Sequence, residues 1–187
     1  MTDSYQAVTW SHDKLFKLDD ADSYNEVVDL FDKYTEQVTR HLPVPMMSMA
    51  GVKANQRVLD IGTGTGVVAL EVARKLGDEG QVVGIDLSDG MLATANEKAD
   101  KEGLAAKAEF LKMDAEALEF DANSFDSVLS LYALRHFPNP EKAVAEMHRV
   151  LKPGGKAVIA VGSRPELLSK DGMVAVVRKI GSVIRRF

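Results

Sequence analysis

The chain has no cysteine among its 187 residues. Disulfides, thiolate metal sites and a cysteine nucleophile are therefore excluded. No apolar run approaches the roughly 20 residues that span a bilayer. The start, Met1-Thr2-Asp3-Ser4-Tyr5, lacks the basic-then-apolar order of a secretory signal. A cytoplasmic protein with no membrane span is the expectation. Repeats and low-complexity stretches are absent too. His12, His41 and His148 stand in no metal-ligand spacing, and no Ser-His-Asp order or paired-carboxylate hydrolase pattern stands out.

What is present suits one domain, or one domain with an appended arm, long enough to bury roughly two thirds of its unfolded surface. The net charge of −5 is unevenly placed. Residues 1–50 hold nine acids and four bases, and the rest of the chain balances. An acidic arm argues against nucleic acid, whose phosphates need a basic surface. The tail is basic, with Arg164, Lys170, Arg178, Lys179, Arg185 and Arg186 against Glu166 and Asp171. It could touch an anionic substrate or a lipid surface, and a solvated helix face is the favoured reading.

Residues 1–22 are polar with little periodicity, and order is not expected there. From Tyr24 to His41, Val27, Leu30, Phe31, Tyr34 and Val38 recur at helical spacing, giving one amphipathic helix stopped at Pro43 and Pro45. From residue 57 strands and helices alternate. Strands are expected at Arg57–Ile61, Gln81–Asp86, Ala108–Met113, Phe125–Tyr132 and Lys156–Val161. Helices are expected at Val67–Leu76, from Ser88 or Asp89 to about Glu102, and at Glu141–Leu151. Strands apolar throughout are buried on both faces, so the fold class is α/β: a doubly wound, mainly parallel sheet with helices on both faces.

The strongest chemical signal is Asp60-Ile61-Gly62-Thr63-Gly64-Thr65-Gly66, a glycine turn between the first strand and the first helix of this unit. Glycine lets the chain turn sharply and a ligand approach the backbone. The helix N-terminus is expected to offer free N–H groups. Asp86 follows Gly66 by twenty residues at the end of the second strand, where a carboxylate can take both hydroxyls of a ribose. A dinucleotide fingerprint places its third glycine where Val67 stands here. Asp60, two residues before the first glycine, would repel a pyrophosphate but suits a ligand carrying an ammonium and a sulfonium. Charge therefore favours S-adenosylmethionine over NAD. His136 is the one candidate for acid–base chemistry, placed after the fourth strand on the ligand side. Methyl transfer from a sulfonium is driven largely by proximity and orientation, however, so a structural or pocket-lining role stands beside the catalytic one.

Val58-Leu59-Asp60-Ile61-Gly62-Thr63-Gly64-Thr65-Gly66 resembles the first motif of class I S-adenosylmethionine-dependent methyltransferases. Gly84 to Leu92, Asp114-Ala115-Glu116-Ala117-Leu118, Leu134 to Pro140 and Arg149 to Gly155 resemble the segments at the family's next four strands. The subgroup it resembles most includes the ubiquinone and menaquinone biosynthesis enzymes, and the likeness covers about residues 55–162. It implies a Rossmann-like methyltransferase fold and methyl transfer to the oxygen, nitrogen or carbon of a small-molecule acceptor. It also implies roles. Gly62, Gly64 and the neighbouring backbone of Thr63 and Gly66 line the methionine part, with Leu131 near it, and Asp60 helps hold the amino group. Asp86 takes the ribose hydroxyls, and Leu87 and Met91 pack on the adenine. Asp114 accepts from the adenine amino group, and the Ala115 N–H donates to the ring.

The family sheet usually carries two further strands as an antiparallel hairpin. After the fifth strand only a helix, Met173 to Ile184, is read, so the last two strands are expected to be missing. Val158-Ile159-Ala160-Val161 would then be an apolar sheet edge. Three readings follow: a fragment of a longer enzyme, an edge covered by a second copy in a homodimer, or a tail folded back on it. The first is favoured. The expected layout is an arm and lid helix over 1–50, a cofactor-binding domain over 51–162, and a basic helix over 163–187. The alternatives to an active methyltransferase are an NAD-dependent oxidoreductase and a non-catalytic cofactor-binding module.

Overall fold

The computed structural model describes residues 12–161, with side chains from residue 16. The expected Met173–Ile184 helix and the absence of a final hairpin fall outside the described residues. Three helices come first: α1 (His12–Asn25), α2 (Val28–Val38) and α3 (Pro43–Ala50). The α/β unit follows as β1 (Arg57–Ile61), α4 (Val67–Lys75), β2 (Gln81–Asp86), α5 (Asp89–Lys101), β3 (Ala108–Lys112), β4 (Phe125–Leu131), α6 (Pro140–Val150) and β5 (Leu151–Ala160). A short 3-10 turn, Leu134–His136, joins β4 to α6.

The five strands form one sheet in the order β3-β2-β1-β4-β5, and every pairing is parallel. Val58, Leu59, Ile61, Val82 and Val83 are wholly buried because helices cover both faces. On one face Val58, Val82, Leu129 and Val158 pack with Met46 and Met47 of α3 and Val68 and Val72 of α4. On the other, Leu59, Ile61, Val83, Val128 and Ile159 pack with Ala143, Met147 and Val150 of α6. The sequence direction of the sheet reverses between β1 and β4, and such a reversal opens a crevice beyond the strands' C-terminal ends.

The N-terminal expectations need correcting. Residues 12–25 form a helix although no apolar periodicity marks it; from residue 16 on, Ala21 is its one buried apolar residue, and it docks instead through polar side chains described below. The single helix expected over Tyr24–His41 is broken before Val28 and ends at Val38. Pro43 does not stop a helix. It begins α3, at the first-turn position where a missing N–H costs nothing. The fifth strand begins at Leu151 rather than Lys156, with a shift in register between Phe125 and Ser127 of its partner β4.

Candidate functional site

The C-terminal ends of the strands open into a cavity of about 690 Å³, within the range of roughly 300–1,000 Å³ typical of ligand pockets. Its wall takes residues at or just beyond the end of every strand, together with Lys17, Asp20, Ala21 and Tyr24 of α1 and Phe31, Tyr34 and Thr35 of α2.

At the end of β1, Asp60 turns towards the α3–α4 face and is 1% exposed. Its Oδ2 accepts from the Thr63 hydroxyl at 2.8 Å and from the Ala69 N–H at 3.2 Å. Its Oδ1 is buried without a partner. Burial pushes the carboxyl up to about 7, against the pull of those two bonds and with some help from the charge of Asp86.

The turn after β1 requires glycine at position 62, where φ is +68° and a Cβ would lie 2.2 Å from the Ala133 Cβ. Gly66, at φ +85°, serves as the N-cap of α4 and faces Leu70 and Ala95 rather than the cavity. It is the one sequence-predicted site residue that does not line the pocket. Most of the turn's own N–H groups are taken up within the chain. Those of Gly62 and Thr63 both donate to the Ile85 carbonyl at 2.9 Å, Gly64 donates to Asp86 Oδ2 at 2.9 Å, and Gly66 donates to the Thr63 carbonyl. Four amides that could cradle a phosphate are thus spent inside the fold.

At the end of β2, Asp86 accepts from Gly64 on one oxygen and from the Ser88 N–H, at 3.0 Å, on the other. A carboxylate has about four acceptor sites, so these two bonds do not exhaust its capacity for a ligand. Burial raises its affinity for a proton, and the backbone bonds oppose that. Leu87 and Met91 continue this wall, and Met91 lies in α5, which Ser88 caps by accepting from the Met91 N–H.

At the end of β3, Asp114 and Ala115 line the next stretch. Asp114 Oδ1 accepts from the Glu116 N–H at 2.9 Å, and its Oδ2 is paired with Lys17 of α1 at 2.7 Å. Lys17 also reaches Glu116 at 2.9 Å. Leu131, Tyr132 and His136 line the β4 side. His136 Nδ1 lies 3.1 Å from Asp20 Oδ2, and its Nε2 lies 3.3 Å from the Tyr24 hydroxyl.

Of the twelve predicted residues, eleven therefore share one cavity: Asp60, Gly62, Thr63, Gly64, Asp86, Leu87, Met91, Asp114, Ala115, Leu131 and His136. Sequence reading missed Lys17, Asp20, Thr65 and Tyr132. Thr65 carries a buried hydroxyl with no partner at the cavity wall. Tyr132 holds a left-handed φ of +61°, a conformation that non-glycine residues adopt mainly where the surroundings enforce it. Residue type alone does not mark Lys17, Asp20 or Tyr132, because each is tied to a residue distant in sequence: Asp114, His136 and the Ala160 carbonyl.

Among the described residues no group of histidines and acids could hold a metal, and no helix is long and apolar enough to cross a membrane.

Comparison with known proteins agrees with this geometry. The ubiquinone/menaquinone biosynthesis C-methyltransferase of Marinomonas sp. (strain MWYL1) is 39% identical over 120 residues, which is 64% of this chain and 48% of that protein. The chain spans about half the length of the curated relatives it matches. A SAM dependent methyltransferase from Aquifex aeolicus superposes with a TM-score of 0.67 at 25% identity, covering 84% of this chain and 87% of that one. The 4+2 cyclase SpnF superposes with a TM-score of 0.72 at 23% identity, covering 88% and 72%, which is a likeness of fold alone. The family described as "Methyltransferase domain" matches residues 58–155, a span that takes in just over half the chain and includes Asp60, Asp86 and Asp114. The chain belongs to that methyltransferase family.

Proposed function

We propose that this chain binds S-adenosylmethionine and transfers its methyl group to a small-molecule acceptor. The observation that carries the reading is the row of three carboxylates, Asp60, Asp86 and Asp114, at the ends of three adjacent strands on one cavity wall. The residues fit the cofactor. Asp60 Oδ1 is a buried acceptor without a partner, suited to a cationic amino group, and Asp86 keeps acceptor capacity for ribose hydroxyls. Asp114 and the Ala115 N–H would take the adenine edge, Leu87 and Met91 its face, and Leu131 and the 62–64 turn the methionine part. When bound, the cofactor supplies a methyl group made electrophilic by its sulfonium. The chain's own part is to hold that group and the acceptor in line and to exclude water, which is the chief source of rate in such a displacement. The internally bonded amides of the glycine turn, together with the family, speak against the nicotinamide alternative.

The relatives' C-methyltransferase activity supports carbon as the accepting atom. Residues 1–50 serve as lid and substrate wall, residues 51–162 as the cofactor domain, and 163–187 as a basic appendage. A cytoplasmic location and the exclusion of nucleic acid belong to the same reading, supported by the acidic N-terminal arm. A homodimer through β5 is supported by that strand's single pairing, with β4, among the described residues. Because the fold also hosts other chemistry, the site has to carry the argument. Calorimetry with S-adenosylmethionine and S-adenosylhomocysteine tests it: both bind the wild type, and Asp86→Ala abolishes or greatly weakens binding. If neither ligand binds, the reading fails. Binding without transfer to any of a panel of small acceptors would favour a non-catalytic module, a rival suggested by the chain's half-length match.

A further inference from the structure

Asp20, His136 and Tyr24 form a connected polar line at the cavity wall, and none of the cofactor contacts proposed above falls to them. Asp20 and Tyr24 stand one helical turn apart on α1, and His136 reaches between them from the 3-10 turn after β4. The distances are 3.1 Å from Asp20 Oδ2 to Nδ1 and 3.3 Å from Nε2 to the Tyr24 hydroxyl. All three residues line the pocket. The two rings meet edge to face at 5.4 Å, and Phe31 holds the other side of Tyr24 at 5.4 Å in the same manner. The phenol is thus fixed in direction.

The donor and acceptor roles follow from chemistry. A carboxylate only accepts, so Asp20 fixes the proton of neutral His136 on Nδ1 and leaves Nε2 with a lone pair. Nε2 then accepts the Tyr24 O–H. The charged and titratable groups facing this line are Asp20 on α1, Arg135 on the 3-10 turn and Asp86 at the end of β2. Burial first, then Asp20 and Asp86, push the Tyr24 phenol up, with Arg135 opposing. Tyr24 therefore carries its proton near neutrality and can pass one on only if it receives another.

We propose that Tyr24 and His136 relay a proton away from a hydroxyl of the methyl acceptor, with Asp20 as the positioning residue. The inference rests on the methyltransferase reading above. The acceptor's O–H bond breaks and its proton goes to the Tyr24 oxygen. Tyr24's own proton moves to Nε2, and the imidazolium sits against the Asp20 carboxylate. The electron pair released on the acceptor forms the new bond to the methyl carbon, and the pair of the breaking carbon–sulfur bond stays on sulfur. An imidazole at the end of the line matches an acidic hydroxyl and not an aliphatic alcohol, which would hold its proton too strongly. A tertiary amine or thioether would have no proton to give.

Two measurements decide this without turnover. Nitrogen NMR of the labelled imidazole, with no cofactor present, finds neutral His136 protonated on Nδ1, and Asp20→Ala returns the ring to the tautomer protonated on Nε2. The Nε2-protonated form in the wild type overturns the relay. The second uses 4-nitrophenol, whose absorbance reports its ionisation. Bound to the wild type, its ionisation midpoint falls by about one pH unit, a tenfold change in the equilibrium. With Tyr24→Phe or His136→Gln it returns to the value of free 4-nitrophenol. No binding, no shift, or a shift retained in both variants overturns the proposal. S-adenosylhomocysteine binds the variants as tightly as the wild type. Its failure to bind even the wild type would sink the methyltransferase reading and leave the tautomer to judge the relay by itself.

Discussion

The ammonium of Lys17 lies 2.7 Å from Oδ2 of Asp114, across 97 residues of sequence. One side chain of α1 is thereby locked onto the β3 end of the cavity, with Glu116 as a second anchor at 2.9 Å. Lys17→Met leaves two carboxylates facing each other without their cation and removes this attachment. Amide hydrogen exchange in residues 16–25 then rises at least about tenfold, as expected for local opening, while β1 and β2 keep their protection. Unchanged exchange in α1 would show that the pair is incidental.

Gly62 and Gly103 share a φ of +68°, but only Gly62 is crowded: its added Cβ meets Ala133 at 2.2 Å, and that of Gly103 meets nothing within 4 Å. Alanine at either position bears the left-handed strain of about 1–2 kcal/mol. Gly62→Ala adds steric overlap with a neighbour on the opposite wall. Urea unfolding should find it less stable than Gly103→Ala by a further 1–3 kcal/mol or so. Equal losses would mean that the wall yields freely.

The Asp60 carboxyl is pushed up to about 7 in the folded protein by burial, from an ordinary value near 3.8. A raised acid favours the protonated fold, so its contribution is fully present below about pH 4 and is lost as pH climbs through 7. Roughly three pH units at about 1.36 kcal/mol each make this on the order of 4 kcal/mol. Asp60→Asn has no such titration. Its stability relative to wild type therefore increases between pH 5 and pH 8, and parallel pH profiles would refute the assignment.

Asp86→Ala removes the acceptor of the Gly64 and Ser88 N–H groups as well as the sites offered to a ribose. Hydrogen bonds to a charged group are worth about 1.5–3 kcal/mol, so nucleoside binding weakens by roughly 10- to 150-fold. Calorimetry with S-adenosylhomocysteine reads this directly. Asp86→Asn keeps one acceptor oxygen and falls between the two.

The sheet was legible because its signals are local. Arg57–Ile61 and Gln81–Asp86 have the boundaries that the sequence suggests, since each is a short segment built around adjacent apolar residues, Val58-Leu59 and Val82-Val83, next to a turn. The glycine turn and Asp86 could likewise be placed on one wall from spacing alone. The helix α1 was not legible. Lys17, Asp20, Tyr24 and Asn25 hold it through polar bonds to residues 63 to 116 positions away, and such bonds leave no repeating apolar stripe. Pro43 was misread because proline stops a helix and starts one by the same missing N–H, and only the surroundings distinguish the two.

The polar docking of α1 has one more consequence. Besides Lys17 and Asp20, Asn25 is fastened where its side-chain oxygen accepts from the Ser88 hydroxyl at 2.6 Å and the Gly90 N–H at 2.9 Å. The Lys17 pairs are largely shielded, with the lysine side chain 13% exposed against 34% for Asp114 and 5% for Glu116, so added salt screens them far less than it would surface pairs. The cover of the cavity is thus fastened by bonds that dissolved ions hardly reach.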